Sequence, residues 1–177
     1  MHAILHKLEG GDRRSIGRSE EVVSDVLKTP SLFGVLITGL SAEDAILRMR
    51  AADAMEKISA IHPEYLWPHK KLLIELAASS SQKEMRWHLA QMLPRLKLNQ
   101  NEKKQVVNIL MAYFSDSSSI VKTLAMQALA DIARATPELR PSVLVNLQEL
   151  TLIGTPAMKA RGRKLCAEMK RMPSVPS

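Results

Sequence analysis

Side chains that do chemistry are few in this chain, and their spacing is mostly wrong for it. There are five histidines: His2, His6, His62, His69 and His88. Only His2 and His6 stand four apart, which would place two imidazoles on one helix face, as a metal pair needs. No third ligand accompanies them in the sequence, so surface placement is the plainer reading. Cys166 is the single cysteine and falls at a core-type position of the last helix. That suits a buried structural thiol better than a nucleophile. There is no Gly-x-Ser-x-Gly elbow, no P-loop and no dinucleotide fingerprint. No catalytic residue, no metal and no cofactor is assigned on this basis. Gly10-Gly11 followed by Asp12-Arg13-Arg14 could offer phosphate both backbone N–H groups and guanidiniums. The simpler reading is a solvated loop with basic side chains.

Composition bounds what must position these residues. The chain has 177 residues, the length of one domain. Apolar residues make up 46% and aromatics only 3%. Leu, Ala, Met, Ile and Val supply the apolar content, and Ala and the unbranched side chains among them lose little freedom in a helix. No run of 18 apolar residues is present, so no membrane span is expected. The N-terminal stretch lacks the apolar core and cleavage site of a secretory signal. With one cysteine, a reduced, cytoplasmic setting is the expectation. The net charge of +7 is uneven. Residues 1–78 hold ten basic and eleven acidic side chains, and residues 79–177 hold fifteen and seven. A basic half suits an anionic partner, whether nucleic acid, an acidic protein surface or a membrane face, and the plainer reading is a soluble protein with a basic end.

Four segments align as internal repeats. They are LRMRAADAMEKI from Leu47, MRWHLAQMLPRL from Met85, VKTLAMQALADI from Val121 and MKARGRKLCAEM from Met158, with starts 38, 36 and 37 residues apart. Each opens with an apolar residue and a base: Leu47-Arg48, Met85-Arg86, Val121-Lys122 and Met158-Lys159. Small and apolar residues then follow at helical spacing, as Ala125, Ala128, Leu129 and Ile132 do in the third copy. A partner helix precedes each copy, over 30–40, 63–78, 101–114 and 141–152. Pro30, Pro63, Pro137 and Pro156 suit first helical turns. Ser41 with Asp44 and Ser81 with Glu84 have capping-box spacing. Pro94 should end or kink its helix. His62-Pro63-Glu64 and Thr136-Pro137-Glu138 match 74 residues apart, each followed by a second proline (Pro68, Pro141) at which the helix should bend or restart. Residues 20–29 read as one capping helix with Ser19 as N-cap.

The period, the apolar-base opening and the paired helices resemble the HEAT repeat over residues 30–171. The resemblance implies an all-α fold, a right-handed α-solenoid of about four helix pairs plus the N-terminal capping helix. Residues 1–19 form an N-terminal segment and loop, 20–171 a single repeat domain and 172–177 a flexible tail. Gly162 stands where the family pattern favours Ala, and the last copy is the most polar, as a terminal repeat requires.

In HEAT-like arrays the second helix of each pair lines a concave face. That face would carry Arg50, Asp53, Trp87, His88, Gln91, Arg161 and Lys164 as partner-binding candidates. Trp87 could stack on a base or anchor a peptide, or it could pack between helices. The ladder Arg48, Arg86, Lys122 and Lys159 belongs to the repeat signature, and such a base commonly pairs with an acid or a carbonyl of the adjacent repeat. Trp67, beside Pro68, reads as packing at a corner. The expected function is a non-enzymatic scaffold holding a protein or peptide in a groove about 40 Å long. The alternative is nucleic-acid binding through the basic half. HEAT-like folds include DNA alkylation-repair glycosylases, for whose aspartate-plus-aromatic site Asp53 and Trp87 are the only concave candidates. Self-association through a terminal repeat is a third possibility.

Overall fold

Five of the ten α-helices among the described residues start at a side chain that accepts one of the first free N–H groups. The computed structural model describes residues 2–12 and 15–173, all helices and connections. His2 Nδ1 accepts from the Ile4 N–H (3.3 Å) and opens α1 (Ala3–His6). There follow α2 (Ser19–Lys28) and α3 (Leu32–Thr38). Asp44 accepts from the Ile46 N–H (2.8 Å) and opens α4 (Ala45–Ile61). Next come α5 (Lys70–Ser79) and α6 (Lys83–Met92). Asn99 and Glu102 form a reciprocal capping box (2.9 and 2.8 Å) ahead of α7 (Gln100–Ala112). Ser118 caps α8 (Ser119–Ala135), then come α9 (Arg140–Ile153) and α10 (Pro156–Lys170), the last capped by Thr155. The ten α-helices carry the fold, with no strand among the described residues.

Three expected caps are corrected. Ser19 is the first residue of α2 and not its cap, because its buried hydroxyl donates to Asp53 (2.6 Å). Asp44 alone caps α4, without Ser41. α6 starts after Gln82 with no side-chain cap. The Gln82 amide is engaged elsewhere: it donates to Ala45 O (2.9 Å) and accepts from Arg48 Nε (3.0 Å).

The prolines act as their geometry dictates. Pro63 and Pro137 each begin a 3₁₀ turn, over Pro63–His69 and Pro137–Leu139. In the first, the α-helix begins only after Pro68. In the second, Pro141 lies within the first turn of α9, where a missing N–H costs nothing. α6 stops at Met92, and Leu93–Arg95 continues as 3₁₀ through Pro94.

The chain forms two compact units, Met1–Lys97 and Leu98–Ser177. In the first, α4 is the central helix, packed by α2, α3 and α6. It is buried nearly all round: Leu47, Ala51, Ala52, Ala54, Met55 and Ile58 are each 2% exposed or less. Helices of that kind sit inside a core. The alanines let neighbours come close, and a Cβ on Gly39 would lie 2.9 Å from that of Ala51. In the second unit α8 has the same length and the same place, packed by α7, α9 and α10. Ala125, Met126, Leu129, Ala130 and Ala133 on it are fully buried. α10 approaches α9 through Gly162, where any Cβ would collide with Thr151 Oγ1. That is the reason Gly stands in this position of the repeat.

Candidate functional site

The N-terminal unit places its candidate residues in two different settings. Arg50, expected on an open face, is 2% exposed. Its guanidinium is wrapped by the loop that follows α1. Nη1 donates to Leu8 O (2.9 Å), Glu9 O (3.2 Å) and Gly10 O (2.6 Å). Nη2 reaches Asp12 O (3.2 Å) and Nε reaches Ser15 O (3.1 Å). Arg50 therefore leaves the partner-binding set, because the loop consumes its donors. The same geometry answers the phosphate reading of Gly10-Gly11. The loop turns carbonyl oxygens inward onto a cation, the opposite polarity to an anion cradle. Arg13 and Arg14 lie outside the described residues. Gly17 is left-handed (φ +58°), and a Cβ there would fall 2.8 Å from Arg50 Cζ, so only glycine fits.

Asp53, one turn on, is likewise engaged. It accepts from Ser19 Oγ and pairs with Lys57 Nζ (3.0 Å), which also meets Glu20 of α2. These contacts dock α2 on α4. Trp87 and His88 meet edge to face, with centroids 5.8 Å apart, and both are half-buried. Gln91 donates to Trp87 O (3.3 Å). His88 Nδ1 is buried without a hydrogen-bond partner. Burial pushes its pKa down, against the opposing pull of the Asp53, Glu56 and Glu84 carboxylates. Asp53 is thus committed to Ser19 and Lys57, and the Trp87 ring to His88.

The basic ladder bonds carbonyls where the structure records its partners. Arg48 donates to Ala42 O (2.7 Å) and Glu43 O (2.9 Å), and Arg86 to Ser80 O (2.7 Å). Each closes the turn before its own helix. Arg95, outside the ladder, grips α4 through Glu56 O (2.7 Å), Ser59 Oγ (2.8 Å) and the Glu56 carboxylate (2.6 Å). Trp67 is more open than a packing role predicts, at 41% exposure. Its Nε1–H donates to Arg95 O (3.1 Å), and Lys97 Nζ stands 5.6 Å from the ring centroid. His2 and His6 are separately occupied, His2 as the α1 cap and His6 against Glu9 (2.7 Å). No cluster of three metal-binding side chains occurs among the described residues.

The C-terminal unit holds the most open apolar surface. Arg161 donates to Gln127 Oε1 (2.6 Å), and Lys164 is exposed. Neither lines a groove of ≈ 590 Å³ that α9 and α10 form between them. Thr151, Leu152, Cys166 and Ala167 form its floor, and Gln148, Arg163 and Lys170 its rim. Leu152 and Ile153 are 77% and 74% exposed, and Val145, two turns back on the Leu152 face, is 63% exposed. Cys166 is a free, buried thiol at the edge of this floor.

The sequence reading placed a partner helix over 141–152 and singled out no exposed face on it. The signal was present: Val143, Val145, Leu147, Leu150, Leu152 and Ile153 are more apolar positions than one buried stripe needs. Only Val143 and Leu147 of α9 are buried. No family model, no curated protein and no solved structure matches this chain.

Proposed function

We propose that this chain is a non-enzymatic docking scaffold of the HEAT-like, right-handed solenoid type. Its partner is a protein held on the α9–α10 groove of the C-terminal unit. The repeat plan supports the architecture. α4 and α8 are each 17 residues long, each follows a short 3₁₀ turn, and each leads into a proline-started 3₁₀ turn. The observation that carries the function is the exposure of Leu152, Ile153 and Val145 on one helix beside a groove. Isolated exposed apolar residues need no explanation, but three on the last turns of one helix, with Leu152 lining a groove, favour an interaction surface. Leucine burial is worth about 1.5–3 kcal/mol, enough for a central anchor.

The competing reading is nucleic acid. α10 carries Lys159, Arg161, Arg163, Lys164 and Lys170 against one carboxylate, Glu168, which is paired with Arg134 (2.6 Å). Bases alone give salt-sensitive, sequence-blind binding. They do not account for three exposed aliphatic side chains. The test is a photo-crosslinker at position 152, compared with one at exposed Lys71, in a lysate of the native source. The captured protein is then purified and titrated. Binding should weaken at least about tenfold in Leu152→Glu. Labelled duplex that binds at low salt, is released at moderate salt and ignores Leu152→Glu would replace this reading with the nucleic-acid one.

A further inference from the structure

We propose that the α9–α10 groove is built for an acidic amphipathic helix. Its apolar stripe would lie on Leu152 and Ala167, and its carboxylates would meet Arg163 and Lys170. The inference rests on the docking reading above and specifies the occupant.

Three observations lead to it. The first is shape. The lining runs over Gln148 to Leu152 of α9 and Arg163 to Lys170 of α10, about two turns, enough to seat the central turns of a helix. α10 buries Met158, Gly162, Leu165 and Met169 within the unit, while Ala167 faces out. A helix laid in the trough would repeat the packing that α10 itself has on the other side. The second is chemistry. Between the polar side chains Gln148, Arg163 and Lys170 the lining is apolar, and Thr151 Oγ1 already donates to Leu147 O, so backbone laid across that floor finds no partner there. A helix satisfies those groups internally and presents only side chains. The third is charge. The two charged side chains lining the groove are both cations, Arg163 and Lys170, and both are exposed. They stand seven residues apart on α10, two turns on one face. Carboxylates spaced seven apart on a partner helix meet both. The α9 rim offers Gln148 to the groove, with Glu149 next to it, so the acidic edge of the occupant belongs on the α10 side.

A second copy of this chain fits less well. A two-fold interface on this face would bring Arg163 and Lys170 of one copy towards those of the other, and like charges in a desolvating contact oppose association.

The experiment is a displayed library of helical peptides about 15 residues long. Both the apolar stripe and its flanks are randomised. Selection is on the intact protein, with counter-selection on Leu152→Glu. Survivors should carry apolar residues at i, i+4 and i+7, flanked on one side by Asp and Glu. A synthetic survivor should lose about tenfold or more in affinity against Arg163→Glu/Lys170→Glu, and less against Arg163→Gln/Lys170→Gln. Its binding should weaken with salt. Circular dichroism confirms that the variants keep their helices, as expected for exposed positions. Survivors with neutral or basic flanks, or indifferent to both double variants, would overturn the acidic-helix proposal and leave docking standing. If nothing survives the counter-selection, the docking reading falls too. Self-association abolished by Leu152→Glu would make the second copy the occupant and overturn the proposal.

Discussion

Arg50 should be the most sensitive polar residue in the N-terminal unit. Five carbonyl oxygens converge on its guanidinium. Hydrogen bonds to charged groups contribute about 1.5–3 kcal/mol each, and five of them would exceed the net stability of many domains. The sum is not the loss, however. Once Arg50 is removed, the loop has a cheaper option than burying bare carbonyls: it can leave and be hydrated. The loss is then bounded by what docks the segment. Ile4, Leu5 and Leu8, at 3%, 7% and 0% exposure, favour docking by about 1.5–3 kcal/mol each. Ordering some fifteen residues of backbone opposes it by about 1 kcal/mol or more per residue. Arg50 tips that balance. Arg50→Ala should therefore lower global stability by about 2–4 kcal/mol. It should also free residues 2–17 locally. Arg50→Lys should resemble Ala more than wild type, because one ammonium with three N–H groups cannot span five carbonyls. Urea unfolding gives the global number. Hydrogen exchange over residues 4–17, followed peptide by peptide, gives the local one. If exchange there stays as slow as in wild type and stability moves by less than about 0.5 kcal/mol, the strap account is wrong.

Other outcomes follow from the same contacts. Gly162→Ala gains about 1 kcal/mol of helix propensity but drives a methyl into Thr151 Oγ1. Overpacking should win, with a net loss of about 1–3 kcal/mol in urea midpoint terms and partial recovery in Gly162→Ala/Thr151→Ala. A variant more stable than wild type would mean that α9 and α10 are not in close contact. Stability should also fall as the pH is lowered. Burial lowers the pKa of His88 and of His69, so below about 6.5 the unfolded chain binds more protons than the folded one. The contribution is complete above that value and is lost as pH drops through the depressed folded values. Urea midpoints at about pH 7.5 and about pH 5.5 should differ less in His88→Gln than in wild type. An unchanged difference would assign the pH dependence to other groups. Arg95→Ala should loosen the α6 terminus from α4 and cost about 1–3 kcal/mol, whereas Lys122→Ala, at a ladder position, should cost less.

Much of the all-helical layout was legible in the residues. Periodic stretches at 36–38-residue spacing became α4, α6, α8 and α10, because helical periodicity is a local property and the chain need not fold for it to be read. Proline positions marked the starts near 63 and 137 and the stop near Pro94 for the same reason, that the ring removes a donor wherever it stands, but not that both starts are 3₁₀. What a polar side chain touches was decided elsewhere. Arg50 and Arg161 hold comparable places in their helices, yet one is sealed under a loop from forty residues upstream and the other bonds a glutamine on the neighbouring helix. Spacing along a helix identifies the face a residue occupies. It does not say what is laid over that face. The covering of Arg50 and the opening beside Leu152 are both facts about distant segments: one arrives and docks, and across the other no described residue does. That is settled by packing entropy and burial over the whole unit, which no local pattern encodes.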